Sequence, residues 1–222
     1  MRTGLIESQN MGRKTDQGDW LFRKQSLIIR AGDRQALIGP SGSGKSLLLR
    51  ALAMLDPLDE GQILWQGERL HADDIPRYRA NVIYLHQRPT LFEESVEENL
   101  QRPFLLRSHP TSYNPDRVVS LLKQAGRDAS FLQKWAPNLS GGEMQIAALV
   151  RALQLDPRVM LLDEPTAALD QETSEAVEQL IQTWWSEDQG QRAYLLVSHN
   201  QEQTNRLSDR LIRLDKGELI TA

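Results

Sequence analysis

The stretch Gly39-Pro40-Ser41-Gly42-Ser43-Gly44-Lys45-Ser46 decides the fold of this chain, because it fits the pattern G-x-x-x-x-G-K-[ST]. The apolar run 36–38 precedes it, and the helix-like stretch Ser46–Leu55 follows it. Strand, glycine loop and helix therefore come in the order that a phosphate-binding loop requires. An ordinary glycine turn would not need this order, so we predict a cradle for a polyphosphate.

The chemistry expected of this loop follows from its residue types. Glycines allow consecutive backbone N–H groups to turn inward around phosphate oxygens, and the helix N-terminus adds a favourable dipole charge. Lys45 is expected to neutralise phosphate charge, and the Ser46 hydroxyl is expected to offer an oxygen to Mg²⁺. A polyphosphate with Mg²⁺ is therefore the predicted ligand.

A pair of adjacent carboxylates closes the run Val159-Met-Leu-Leu-Asp163-Glu164. Four apolar residues bring this pair to the end of a buried strand, and alternation along the strand directs the two side chains differently. Asp163 can then hold the Mg²⁺ shell while Glu164 polarises the attacking water as general base. An acidic pair at a strand end is often only a solvated turn, and the phosphate loop upstream is what favours the catalytic interpretation.

Short β-rich runs alternate with helical stretches along the chain, a pattern typical of an α/β fold. Gly61–Gln66 alternates apolar and polar residues, which predicts a strand of an antiparallel hairpin or edge sheet. Other β-rich runs open the chain, and short apolar runs of the kind that parallel strands show are expected to form the main sheet. The opening runs are Gln25–Arg30 and Gln35–Gly39. The runs expected to form the main sheet are Val82–Leu85, Val159–Leu162, Ala193–Val197 and Arg210–Leu214.

A helical lobe is expected between the strands at Val82–Leu85 and Val159–Leu162. Helical patterns at Asp116–Gln124 and Gly141–Leu153 follow the proline-rich stretch Pro103–Pro115. The sequence therefore predicts a helical insertion within the α/β lobe.

Composition excludes several classes of protein. The 222 residues include no cysteine, so a disulfide framework and a thiolate zinc site are excluded. The net charge is −4 without a basic block, so nucleic acid is not an expected partner. No stretch approaches the roughly 18 uncharged apolar residues that span a bilayer, and the first residues lack the apolar core of a signal peptide. The chain itself is expected in the cytoplasm.

The chain resembles the ATP-binding-cassette family, because Leu139-Ser-Gly-Gly-Glu-Met-Gln145 is similar to the signature sequence of that family. Further elements agree in order: Gln87 is similar to the family's Q-loop glutamine, Ala168-Leu169-Asp170 to its D-loop and Ser198-His199 to its switch histidine. Ser140, Gly141 and Gly142 form a second cradle of small residues at a predicted helix start. The resemblance covers nearly the whole chain.

The resemblance implies a P-loop NTPase with an ABC-type ATPase core, an antiparallel β subdomain and an inserted helical subdomain. It also implies ATP, with Mg²⁺, as the cofactors. One domain would cover residues 1–222, with 1–87 and 157–222 as the RecA-like core with the β subdomain and 88–156 as the helical subdomain. Two copies would associate head to tail, so that Ser140 and Gly142 of one subunit close over the γ-phosphate held by Lys45 of the other.

The resemblance also implies a role for each remaining motif residue. His199 would contact the γ-phosphate, Gln87 would reach Mg²⁺ or the water, and Asp170 would bridge the two sites. Considered alone, a histidine or a glutamine is usually a surface or satisfied core residue. The order of the motifs is what favours the functional interpretation here.

Three departures from the family pattern affect these expectations. Arg13 stands where an aromatic residue usually stacks on adenine, so Arg13, Trp20 or Phe22 could cover the base, and the two aromatics could also be ordinary core or surface residues. Leu47 replaces the usual hydroxyl after Ser46 and is counted with the nucleotide-contacting residues. Ile146 replaces a frequent arginine after the signature. A working site is expected despite these changes.

The resemblance implies a membrane permease as partner. The ATPase would lie at the cytoplasmic face of the inner (plasma) membrane, with Pro89, Leu91 and Phe92 as candidate contacts or, equally, as lobe core. Gln9–Gly12 and Arg88–Leu100 are similar to the bacterial iron-export ATP-binding subunit, which suggests metal export. Two alternatives remain open: an ABC ATPase that acts on a soluble partner, and a binding module without turnover, against which Glu164 and His199 argue.

Overall fold

Two β-sheets and a set of α-helices make up the computed structural model, which describes residues 4–106, 112–167, 169–188 and 190–221. The strands are β1 (Gly4–Lys14), β2 (Trp20–Arg30), β3 (Arg34–Ile38), β4 (Glu60–Trp65), β5 (Glu68–Arg69), β6 (Val82–Leu85), β7 (Val159–Asp163), β8 (Ala193–Val197), β9 (Arg210–Asp215) and β10 (Glu218–Thr221). The helices are α1 (Lys45–Leu52), α2 (Ile75–Asn81), α3 (Val96–Gln101), α4 (Pro115–Gln124), α5 (Gly141–Leu153), α6 (Gln171–Glu187) and α7 (Gln201–Leu207).

The main sheet has the strand order β10-β9-β3-β8-β7-β6. Its strands from β9 to β6 are parallel, and β10 adds an antiparallel edge. Every residue of β7 and β8 is buried, as expected for strands covered on both faces. The predicted main-sheet strands are therefore confirmed. Since β3, β6, β7 and β8 are parallel, the predicted site residues that follow them lie along one edge of the sheet.

Alternation along β7 divides the core between the two faces of the main sheet. Met160 and Leu162 pack on one face with α5 and α6, and Val159 and Leu161 pack on the other with α1. This double burial holds the carboxyl end of β7 in place. The strand therefore presents the acidic pair from a rigid support.

The second sheet is antiparallel, with the order β2-β1-β4-β5. It confirms the antiparallel strand predicted at Gly61–Gln66, which is β4. Strand β2 begins earlier than expected because it pairs along its length with β1, which sequence periodicity did not predict. Register shifts interrupt β1, and Asn10 adopts φ 49°. Such irregularities break the two-residue alternation by which a strand is recognised.

Helices α3, α4 and α5 occupy the expected helical segment, and the helices predicted at Asp116–Gln124 and Gly141–Leu153 are confirmed. Ser95 begins α3 with a capping box to Glu98, and Asn114 caps α4. These helices share one hydrophobic cluster with β7, β8 and α6. The boundaries at residues 87 and 156 stay a prediction, because the core is continuous across them.

Helix α1 ends three residues before the predicted end at Leu55. Met54 adopts φ 55°, and Arg50 binds Asp56 through two hydrogen bonds of 2.8 Å. This ion pair folds the chain back over the last turn of the helix. Within the described ranges, no helix combines the length and the hydropathy of a membrane span.

Candidate active site

The phosphate loop connects β3 to α1, in the predicted order of strand, loop and helix. Lys45 is buried, with 6% of its surface exposed, and its Nζ donates to the carbonyl oxygens of Gly39 and Pro40 at 2.9 Å each. Burial lowers the pKa of Lys45, although the negative charges of Glu164 and Asp163 act in the opposite direction. The ammonium group therefore lies folded over its own loop, with carboxylates near it.

The backbone of the loop requires glycine at two positions. Gly39 has φ 153°, and a Cβ atom there would lie 2.1 Å from the carbonyl oxygen of Leu214. Gly44 begins α1 with φ 94°, in the left-handed region, and no side chain caps this helix start. The buried Oγ of Ser43 has no hydrogen-bond partner among the described residues. Free helix-start N–H groups and an unpaired hydroxyl fit a polyphosphate.

Asp163 is the last residue of β7, and Glu164 follows the strand in a different environment. Asp163 is 3% exposed and accepts a hydrogen bond of 2.7 Å from the Tyr84 hydroxyl on the neighbouring strand β6. Burial and this hydrogen bond raise the pKa of Tyr84 well above its ordinary value. Tyr84 therefore acts as a hydrogen-bond donor that orients the Asp163 carboxylate.

The Glu164 side chain contacts two other predicted residues, Gln87 and His199. The backbone of Glu164 adopts φ 47°, and its N–H donates to the Val197 carbonyl at 3.0 Å. Oε2 accepts from Gln87 Nε2 at 3.1 Å, and Oε1 lies 3.2 Å from His199 Nε2. Residues from the ends of β6, β7 and β8 thus meet at one carboxylate.

The signature residues lie apart from this group. Ser140 caps α5 and forms a capping box with Glu143, which also pairs with Lys134 at 2.5 Å. A Cβ atom on Gly142 would lie 2.9 Å from Cγ2 of Thr173 on α6. Among the described residues, no hydrogen bond joins Ser140, Gly141 or Gly142 to the phosphate loop.

Asp170 caps α6 and accepts from the N–H of Thr173 at 2.9 Å and from its hydroxyl at 2.8 Å. The backbone hydrogen bond from Thr173 lowers the pKa of Asp170, and the hydroxyl bond adds to this shift. Ala168, the first residue of the predicted D-loop, lies outside the described residues. Asp170 therefore caps α6 within one chain, in addition to the bridging role that is predicted for it.

A cavity of about 880 Å³ opens beside Glu164 and His199. Polar side chains of α6 and α7 also line this cavity, including Glu178, Gln203 and Arg206. Sequence reasoning did not select these residues, nor Tyr84, whereas it did select Ser43 as part of the phosphate loop. The only available signal for Tyr84 was a hydroxyl inside the apolar run Val82–Leu85, and Gln203 gave none.

The three adenine candidates differ in accessibility. Phe22 is 1% exposed in the core and cannot present its ring to a base. Trp20 is 36% exposed, and the charged groups of Lys14 and Arg23 lie 4.7 and 4.5 Å from its ring centroid. Arg13 lies 3.5 Å from Asp59. Trp20 and Arg13 are therefore the two remaining candidates.

The candidate permease contacts also differ in accessibility. Phe92 is 55% exposed, with the Arg102 guanidinium 3.8 Å from its ring centroid, and Leu91 packs partly into the core. Pro89 lines a cavity of about 220 Å³ between β6 and α5, together with His86 and Arg151. The residues that line this groove flank Gln87 in the sequence, with His86 before it and Pro89 after it.

Comparison with known proteins identifies the family. The family model described as ABC transporter matches residues 22–167. The tungstate uptake system ATP-binding protein of Peptoclostridium acidaminophilum is 32% identical over 93% of this chain and 93% of that protein. A probable iron export ATP-binding protein of Escherichia coli is 35% identical over 95% of this chain and 91% of that protein. The chain belongs to the ABC transporter ATP-binding family.

A solved structure supports the same assignment and its chemistry. A dimeric post-hydrolysis ATP-binding cassette bound to ADP and Pi matches with a TM-score of 0.85 and 27% identity, over 98% of each chain. The resemblance noted from the motifs is therefore confirmed, and so is the α/β ABC-type fold. The chain is an ATP-binding subunit of an ABC transporter, and its reaction is ATP hydrolysis.

Proposed function

We propose that two copies of this chain associate head to tail around two Mg-ATP and that hydrolysis at Glu164 drives a separate membrane permease. The observation that carries this proposal is the Glu164 carboxylate, which contacts Gln87 and His199 while Lys45 lies close enough for its pKa to respond to the carboxylate charge. A base, two polar partners and a phosphate-binding cation thus share one edge of the sheet. This set suits in-line attack of water on a γ-phosphate.

Each residue has a task in this reaction. The loop 39–47 holds the phosphates, with Lys45 released from its two carbonyl partners to neutralise their charge. Glu164 takes a proton from the attacking water, and His199 contacts the γ-phosphate. Gln87 senses whether the site is filled and relays this to the adjoining groove.

Mg²⁺ fits the oxygen donors at this edge of the sheet. Ser46 is exposed at the first turn of α1, Asp163 is a buried carboxylate held by Tyr84, and Gln87 offers an amide oxygen. Hard oxygen ligands of this kind, few in number, are typical of magnesium sites completed by phosphates and water. When bound, the ion would neutralise charge on the β- and γ-phosphates.

A second subunit supplies the other cradle of each site. Ser140 caps the 13-residue helix α5, which begins with Gly141 and Gly142, so these three residues lie at the positive end of the helix dipole. They would close over the γ-phosphate of the partner, and Asp170 would bridge the paired sites. The dimeric form of the similar cassette in its ADP and Pi state supports this arrangement.

The permease would dock at the groove lined by Pro89, beside Leu91 and Phe92, and hold the ATPase at the cytoplasmic face of the plasma membrane. Support comes from the exposed ring of Phe92 and from the position of the groove next to Gln87. For the solute we propose iron, moved outward, on the likeness to the iron export protein. The name of another relative gives tungstate as the solute, so the transport of iron and the transport of tungstate should be compared in membrane vesicles. Uptake of tungstate without iron movement would contradict the iron assignment.

The Glu164→Gln variant tests the proposed function. The amide keeps the length of the side chain and one acceptor oxygen but cannot accept the proton, so turnover should fall by about 10²- to 10⁴-fold. ATP should then trap a dimer that light scattering detects. A variant that stays monomeric at saturating ATP, or that still turns over, would count against the proposal.

The control is Glu175→Gln on α6, which removes one exposed carboxylate that the proposed reaction does not use. It should neither slow turnover nor trap a dimer. The trapped Glu164→Gln protein should also carry a multi-span membrane protein with it from detergent-solubilised membranes. Recovery with a soluble partner alone would move the non-transport alternative to first place.

A further inference from the structure

Two short segments must stay in register for the contact between Glu164 and His199 to persist. One follows β7 and contains Thr166, and the other follows β8 and contains Ser198. One backbone hydrogen bond near them runs from the Glu164 N–H to the carbonyl of Val197, the last residue of β8. Glu164 itself lies at φ 47°, a region that costs a non-glycine residue free energy unless neighbouring contacts hold it.

The side chain of Gln203 on α7 forms hydrogen bonds with both segments. Its Oε1 accepts from Ser198 Oγ at 2.6 Å, and its Nε2 donates to Thr166 Oγ1 at 2.6 Å. Ser198 is the residue before His199, and Thr166 is two residues after Glu164. A single amide therefore connects the two segments that carry the reacting pair.

The surroundings fix which way this amide faces. Nε2 also lies 3.1 Å from Glu178 Oε1, and a carboxylate can only accept, so the nitrogen must face Glu178. Arg206 holds Glu178 in turn through hydrogen bonds of 2.9 to 3.2 Å. Gln203 is 2% exposed and Glu178 is 8% exposed, so water cannot readily replace these bonds.

We propose that Gln203 is a positioning residue for ATP hydrolysis, one that holds the segments of Glu164 and His199 at their working separation. The inference rests on the proposed roles of those two residues. An uncharged side chain with both a donor and an acceptor satisfies Ser198, Thr166 and Glu178 together. Gln203 acts through its neighbours, and its contacts lie behind the two segments.

The first test replaces Gln203 with methionine, which keeps the length and removes the polar atoms. Misplacing the pair should lower kcat for ATP by about 10- to 100-fold. The KM for ATP and the affinity for a non-hydrolysable ATP analogue should change less than about threefold, because the phosphate loop is untouched. Equal losses in kcat and in analogue affinity would contradict a positioning role.

The matched control is Gln154→Met at the end of α5. Gln154 is also a buried amide, 6% exposed, and its Nε2 donates to the Leu100 carbonyl at 2.7 Å. It should lose thermal stability as Gln203→Met does, yet keep the wild-type kcat. If both variants slow turnover equally, the effect of Gln203 is a general loss of stability and the inference is wrong.

A charge exchange provides the rescue. Gln203→Glu alone places two carboxylates in contact and should slow turnover, whereas combining it with Glu178→Gln restores one amide and one carboxylate between the same positions. The double variant should recover kcat to within about threefold of wild type. A double variant as slow as the single one contradicts the inference.

Glu164→Gln, assayed in parallel, separates the two proposals. If Glu164→Gln retains turnover, the proposed function fails, whatever Gln203 does. If Glu164→Gln abolishes turnover while folded Gln203→Met keeps the wild-type kcat, the positioning role alone fails.

Discussion

The phosphate loop and the signature segment are both small-residue helix starts, and they differ in how far the chain satisfies them. At the phosphate loop no side chain caps α1, Ser43 Oγ has no partner among the described residues, and Lys45 turns back onto carbonyl oxygens. At the signature, Ser140 and Glu143 satisfy each other in a complete capping box. Within a single chain, the hydrogen-bonding groups of the signature are therefore better satisfied than those of the phosphate loop.

This difference concerns which polar groups each cradle leaves without a partner among the described residues. The phosphate loop offers unpaired N–H groups and a cation that is poorly solvated where it lies, so nucleotide gives it partners that it lacks. The signature loses little when it stands alone, because its own serine and glutamate serve the helix start. We infer that the first cradle binds ATP within one chain and the second acts only when a partner presents the phosphate.

The largest expected difference concerns Lys45. Lys45→Ala should weaken ATP binding by about 100-fold or more, because it removes charge-assisted bonds to phosphate. The melting temperature without nucleotide should not fall, since the variant also removes a partly desolvated ammonium group. Calorimetric titration with an ATP analogue and a thermal melt would measure the two effects. Unchanged affinity would show that the loop does not depend on its lysine.

Glycine replacements should separate the two cradles by stability. Gly39→Ala forces a Cβ atom against the Leu214 carbonyl at 2.1 Å and should cost more than about 2 kcal/mol in unfolding free energy. Gly142→Ala meets the Thr173 methyl at 2.9 Å, but it also gains helix propensity, so its net effect should stay within about 1 kcal/mol. Chemical denaturation of both variants checks the order. A larger loss for Gly142→Ala would reverse the comparison.

The smallest stability effect is expected at Ser140. Ser140→Ala removes the cap of α5 and should cost about 1 kcal/mol, whereas Ser140→Asp keeps a capping acceptor and should cost less. The aspartate would nevertheless face the phosphate of the partner subunit, and turnover should fall by at least about tenfold. Denaturation and steady-state ATPase assays distinguish the two functions of this residue. Normal turnover in Ser140→Asp would mean that Ser140 serves only as a cap.

Local patterns predicted the parts of the fold that depend on local geometry. The phosphate loop between β3 and α1, the buried strand β7 with its acidic end, and the helix start at Ser140–Gly142 each follow from residues close together in sequence. The order of motifs then gave the family. The roles of the individual site residues stay predictions.

Features that depend on distant contacts were not predicted. Strand β1 lacks clean alternation because bulges interrupt it, and its place is set by pairing with both β2 and β4. The hydroxyl of Tyr84 and the carboxylate of Asp163 are 79 positions apart in sequence, and Gln203 reaches back 37 positions to Thr166. Only the folded arrangement of the sheet brings such partners together, so no local signal marks them.

Mixing two inactive variants tests the composite site most directly. In a head-to-tail pair of Lys45→Ala with Ser140→Asp, both lesions fall in one site and leave the other site intact. An equimolar mixture should therefore regain roughly a quarter of the wild-type ATP turnover, because half of the pairs are mixed and each has one working site. A mixture as inactive as either variant alone, under conditions where the wild-type chain pairs, would contradict a site shared between subunits.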